Sequence, residues 1–213
     1  MAADPSPRRA DEQAARGGRL TLWGVAIVVL VLSMLGGHHG TGTVAGGTRA
    51  AGTTAATGPA GPALPRSVPT RLIVPKIGVN APFTALVLGS DGRLEPPPAD
   101  NTNLVGWYSK GVSPGEKGTS VIAGHVDTKT SAAVFAGLSE LLPGDRFTVE
   151  RADGRTAKFV VDSAETFEKD DFPSDRVYDN AARPEARLIT CAGDYDHTAK
   201  DYTENLVVFA HLV

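Results

Sequence analysis

The chain from about Arg66 onward predicts an all-β domain. Three observations carry that reading. Short apolar or alternating runs recur along it, each stopped by Gly, Pro, Asp or Ser. An Asp-Gly pair at Asp153-Gly154 sits between two of the runs, the strongest short-range hairpin signal. Only one segment carries helical spacing.

In order, Arg71-Leu72-Ile73-Val74 reads as a strand and stops at Pro75. Val79 to Leu88 is apolar and partly β-branched, and Ser90-Asp91-Gly92-Arg93 turns the chain after it. Pro114-Gly115-Glu116-Lys117-Gly118 is a turn that leads into the strand Thr119–Ala123. Ser131 to Leu142 is the helical segment, with Val134, Leu138 and Leu141 on one face. Arg146–Glu150 alternates polar and apolar residues, and Ala152–Arg155 turns it back into Ala157–Val161. Arg187–Thr190 and Leu206–Leu212 complete the set. Many short strands at this spacing argue for a small barrel or a sandwich. The stretch 66–213 is long enough to bury one core.

The first third of the chain is of another kind. Leu20 to Leu35 contains no charge, and with Gly36 and Gly37 it makes 18 residues, at the short end of a membrane-spanning helix. Apolar residues cover all its sides, which argues against a helix packed in a soluble core. A cleaved signal peptide is the alternative, but the run exceeds a usual signal core and no cleavage site stands out after it. Arg8, Arg9, Arg16 and Arg19 precede the span, whereas Arg49 is the only Lys or Arg between it and Pro65. Basic flanks stay cytoplasmic, so the bulk of the chain is expected outside the cell membrane on a single-pass anchor. The expected organisation is a cytoplasmic tail over 1–19, an anchor over 20–37, a Gly/Ala/Thr/Pro-rich tether over 38–65 and a folded domain over 66–213. Such a tether has an r.m.s. reach of roughly 30 Å and keeps the domain near the membrane.

Composition excludes some functions. Hydrophobic residues make up 41% and charged residues 21%, as expected of a globular protein, and a formal net charge of −3 gives no footprint for nucleic acid. One cysteine and five scattered histidines offer no zinc spacing. His38-His39 reads as polar filler beside the anchor. Asp170-Asp171, Asp194 and Asp196 read as solvated loop charges rather than a calcium site. No cofactor is expected.

Chemistry centres on the single cysteine, Cys191, which closes the apolar run Leu188-Ile189-Thr190-Cys191. A lone buried thiol is ordinarily a small core residue. Ala123-Gly124-His125-Val126-Asp127 changes that reading, because it sets a histidine at the same kind of strand terminus. A thiol becomes a nucleophile at neutral pH beside a base or an imidazolium.

With these elements placed, the chain resembles the sortases, most of all the class F sortases of actinobacteria. The likeness covers about Ser67 to Val213 and rests on the order and spacing of seven stretches. These are Ile73–Val79 (IVPKIGV), Gly106-Trp107-Tyr108, Pro114–Gly118 (PGEKG), Ala123–Thr128 (AGHVDT), Val134–Leu138 (VFAGL), Leu188–Cys191 (LITC) and Asn205–Ala210 (NLVVFA). The resemblance implies a closed eight-stranded β-barrel with one or two short helices, on a membrane-anchored cysteine transpeptidase. It further implies that Cys191 attacks the Thr–Gly bond of an LPXTG-like sorting signal to form an acyl-thioester. His125 as imidazolium would protonate the leaving amine, and an amine of a peptidoglycan precursor would take the acyl group.

The family also carries an arginine on the last strand, and here no arginine follows Cys191. The aligned position is Asn205, whose amide donates without charge. Arg187, four residues before Cys191, points to the same strand face with Cα atoms roughly 13 Å apart. The third role lies between Arg187 and Asn205, and charge favours Arg187. The absent arginine also leaves open a sortase-like barrel that binds cell-wall peptides without turnover. The L,D-transpeptidases keep their His and Cys close in sequence, whereas these lie 66 positions apart. A papain-type cysteine opens a helix, and Cys191 does not.

Overall fold

A computed structural model describes residues 61–213. The expected tail, anchor and most of the tether lie outside the described residues. Eight strands run as β1 (Pro69–Val74), β2 (Val79–Leu86), β3 (Val105–Tyr108), β4 (Gly118–Gly124), β5 (Arg146–Arg151), β6 (Thr156–Glu168), β7 (Pro184–Asp196) and β8 (Asp201–Leu212), with a five-residue helix α1 (Ser174–Tyr178) before β7. They close into a barrel in the order β1-β2-β3-β4-β7-β8-β6-β5, so the sandwich alternative falls. The β2–β3 and β4–β7 pairs are parallel and the other pairs antiparallel. Closure leaves no free sheet edge.

Side-chain alternation along the strands sorts the apolar residues into two clusters. Leu188 of β7 and Leu206, Val208 and Ala210 of β8 point into the barrel with Leu72, Val149 and the stacked rings of Phe147 and Phe159, whose centroids are 5.0 Å apart. Ile189 and Cys191 of β7 and Val207 and Phe209 of β8 point outward into a second cluster, capped by Leu94 of the β2–β3 connection and Val177 of α1. β4 is buried along its whole length because both of its faces are covered.

The expected helix over Ser131–Leu142 is corrected: only a 3-10 turn, Leu138–Glu140, forms there. The first part of this segment pairs with the chain just past β4, and the rest closes only short i→i−3 turns. The Ala133 N–H donates to Val126 O at 3.0 Å and the Phe135 N–H to His125 O at 2.9 Å. Its apolar residues Val134, Phe135, Leu138 and Leu141 still enter the core. Contacts with the barrel begin before Arg66, since the Gly61 N–H donates to Leu212 O and the Leu64 N–H to Gly115 O, both at 2.8 Å.

Candidate active site

β4 and β7 run parallel with Ala123 opposite Ile189. β4 ends at Gly124, and His125 follows it at the end of β4 that runs alongside the Ile189–Cys191 stretch of β7. The Thr190 hydroxyl donates to Gly124 O at 2.9 Å and locks the two strand ends together. Gly124 has to be glycine, because a Cβ there would come within 2.6 Å of the Phe135 ring and 2.8 Å of Val134. The VFAGL stretch therefore has a local purpose: it presses on Gly124 and holds the His125 carbonyl. The His125 ring is 5% exposed, and its Nε2 lies 2.8 Å from the carbonyl of Pro97. A carbonyl only accepts, so Nε2 carries a proton and Nδ1 is left for proton exchange.

Across the next ladder Cys191 pairs with Asn205, and Asn205 in turn pairs with Phe167 of β6. Cys191, Asn205 and Phe167 thus form one row over three adjacent strands, with His125 just past the end of the next strand, β4. Asn205 is fully buried, and neither its amide oxygen nor its nitrogen has a hydrogen-bond partner. Leaving such a group unsatisfied costs about 1–3 kcal/mol. An unsatisfied amide beside a thiol is the arrangement expected of a donor reserved for a ligand.

Arg187 shares the outer face with Cys191, as the strand spacing requires, but its guanidinium turns the other way. It donates to the Glu185 carboxylate at 2.8 Å and to Ala186 O at 3.2 Å, and it stacks 4.6 Å from the Phe209 ring centroid. Glu185 lies two residues further from Cys191 than Arg187 does. Burial pushes the Arg187 guanidinium below its ordinary value, against the pull of Glu185. The structure pairs Cys191 with Asn205 and sets His125 just past the end of β4, while two Arg187 nitrogens are taken up by Glu185 and Ala186 and its buried Nε has no partner.

Charged groups outside this row reach the thiol. Lys169, one residue past β6, donates from Nζ to Cys191 Sγ at 3.8 Å and pairs with the Asp201 carboxylate at 2.6 Å. The Tyr202 hydroxyl donates to Asp127, tying β8 to the chain just beyond His125. Burial, with Asp127 second, pushes that hydroxyl up to about 12, so it remains a donor. Burial also pushes the Cys191 thiol up to about 11, and Lys169 pulls against this. The resting thiol is therefore neutral at physiological pH, and forming the thiolate needs help from its neighbours.

A profile of the Sortase domain matches residues 72–213, two thirds of the chain. The chain belongs to the sortase family. Sortases are cysteine transpeptidases, and Cys191 is the only cysteine available to this one. Among solved structures the sortase resembles sortase C-1 from Actinomyces oris, with 26% identity, a TM-score of 0.51, and coverage of 67% of this chain and 72% of that one. It also resembles sortase C1 from Streptococcus agalactiae, solved with MTSET, at 23% identity and a TM-score of 0.52 over 69% of each chain. A third likeness is to sortase A from Corynebacterium diphtheriae, at 22% identity and a TM-score of 0.51 over 70% of this chain and 62% of that one. The last two speak for the fold alone. No curated protein sequence matches it.

In this sortase a cleft of about 340 Å³ opens on the outer face, lined by Arg66, Leu94, Tyr108, Val121 and Tyr178 among others. Val121 pairs with Arg187, so the cleft lies nearer to Arg187 than to Cys191. Among the described residues no group of three or more His, Cys, Asp or Glu side chains is arranged to hold a metal ion. Sequence reading missed Lys169, Asp201, Tyr202 and Pro97 as parts of the site. Lys169 reaches Cys191 through a β6–β8 register in which Glu168 pairs with Glu204, while Pro97 meets His125 and Tyr202 meets Asp127 across loops, and no local motif signals any of these.

Proposed function

We propose that this protein is a membrane-anchored sortase, most like class F. It would cleave an LPXTG-like sorting signal through an acyl-thioester on Cys191 and pass the acyl group to a cell-wall amine. The pairing of Cys191 with Asn205, with His125 just past the end of the neighbouring β4, is the observation that carries the reading. The Cys191 proton passes to His125, and the sulfur attacks the threonine carbonyl carbon. The C–N bond to glycine breaks as the imidazolium returns the proton to the leaving amine. The acceptor amine then attacks the thioester, its surplus proton goes to His125, and the thiol is released. Asn205 is better placed than Arg187 to donate to the oxyanion, because it faces Cys191 with an amide that nothing else occupies. Anchoring on residues 20–37 and an extracytoplasmic domain complete the reading, supported by the uncharged span and the arginines before it.

A second reading, a barrel that binds cell-wall peptides without turnover, is favoured by the missing arginine after Cys191. Incubation of the full chain with an LPXTG-type peptide and an amine acceptor, followed by mass spectrometry, separates the two. The first reading expects an amide between the fragment ending in threonine and the acceptor. An intact peptide that nevertheless binds the protein supports the second.

A further inference from the structure

The chain lacks the charged residue that its resemblance calls for on the last strand, yet a different cation stands at the thiol. Lys169 follows the last residue of β6, where its backbone N–H donates to Thr203 O at 3.0 Å and extends the pairing with β8 by one residue. It has the same strand parity as Phe167, so its side chain rises on the outer face that carries Cys191. The ammonium is 3.8 Å from Sγ, 2.6 Å from Asp201 Oδ1, and on a side chain only 8% exposed. An ammonium in so dry a place interacts more strongly with a developing negative charge than it would in water. Three donors on one nitrogen let it hold Asp201 and the sulfur together.

We propose that Lys169 is a catalytic residue of this sortase, an ammonium clamped by Asp201 that stabilises negative charge on the Cys191 sulfur as the thiol is activated. The inference rests on Cys191 being the nucleophile. The lysine keeps all three protons throughout: the thiol proton moves to His125, and Lys169 contributes charge and one hydrogen bond. Asp201 orients the ammonium and offsets part of its charge. Other groups bear on the same sulfur. Asp127, beyond β4, and Asp201, on β8, both disfavour the thiolate. Among these, Lys169 is the group that donates a hydrogen bond to the sulfur.

The test is the rate of Cys191 alkylation by iodoacetamide at pH 8, read with transpeptidation turnover, in the full-length protein and in Lys169→Met, Lys169→Gln and Lys169→Arg. At that pH the alkylation rate follows the thiolate fraction. Losing a charge this close is expected to lower that rate about tenfold in both neutral variants. Turnover is expected to fall at least as far, and Lys169→Arg should recover part of both. Two neutral variants guard against one that fails to fold. Alkylation within twofold of wild type in the folded neutral variants overturns the proposal, whatever turnover does. Loss of stability alone, with both rates kept per folded molecule, also overturns it. The Cys191→Ala protein keeps the two ideas apart: if it still turns over, the nucleophile assignment has failed regardless of Lys169.

Discussion

Asn205 lies directly across the β7–β8 ladder from Cys191, fully buried, with an amide that bonds to nothing. Opposed residues in an antiparallel pair hold their Cβ atoms about 4.5–5.5 Å apart, close enough for both side chains to meet one reacting group. This pairing separates the two candidates for the third role more clearly than charge does.

Asn205→Ala is expected to lower turnover by about 10²–10³, the loss typical of one oxyanion donor. Its stability should be equal to or above that of wild type, because no hydrogen bond is lost and the unsatisfied amide is gone. Turnover at varied peptide concentration, alongside a urea melt, checks both halves.

Arg187→Ala is expected to behave in the opposite way. Removing it takes the stacking from Phe209 and one donor from Glu185, which keeps Arg183 at 2.9 Å. Stability should fall by about 1–3 kcal/mol, while turnover per folded molecule changes less than tenfold. A loss of a hundredfold or more with an unchanged melt would return the role to Arg187.

Much of the barrel was legible because its strands announce themselves locally. Arg71–Val74, Thr119–Ala123 and Arg146–Glu150 each fall within an observed strand, and the Asp153-Gly154 turn joins β5 to β6 as its composition predicts. Less legible were segments whose state depends on a distant partner. β3 is four residues long and is set by parallel pairing with β2. The outer halves of β6 and β8, as in Asp162–Glu168, are polar and become strand by pairing with each other. The same limit applied to the site. His125 follows the end of β4 as read, whereas Cys191, read as the end of a strand, lies within β7, which runs on to Asp196 by pairing with β8, and Lys169 is invisible until β6 is known to run that far. Ser131–Leu142 misled in the other direction, since apolar residues at helical spacing serve equally well as a plug against a strand end.

Gly124→Ala should damage activity from a distance. A methyl group aimed at the Phe135 ring has to push either that ring or the His125 backbone. A destabilisation of about 1–3 kcal/mol is expected, as for other overpacked cores. Turnover should drop in step with a shift of the His125 ring resonances in NMR spectra. Unchanged resonances would mean that the plug, not the histidine, absorbs the strain.

The pH dependence of the resting thiol follows from its burial. With a midpoint of about 11, alkylation of wild-type Cys191 should climb about tenfold per pH unit from pH 7 to pH 10 without levelling off. The ordinary thiol value of 9.0 would instead give a plateau by pH 10.

Intact-mass analysis of the full chain during turnover of an LPXTG-type peptide shows whether Cys191 carries the acyl group. An adduct equal to the peptide fragment ending at threonine is expected, mapped to Cys191, released by hydroxylamine and absent from Cys191→Ala. Cleavage of the Thr–Gly bond by Cys191→Ala at the wild-type rate, or an adduct mapped to any other residue, would contradict it.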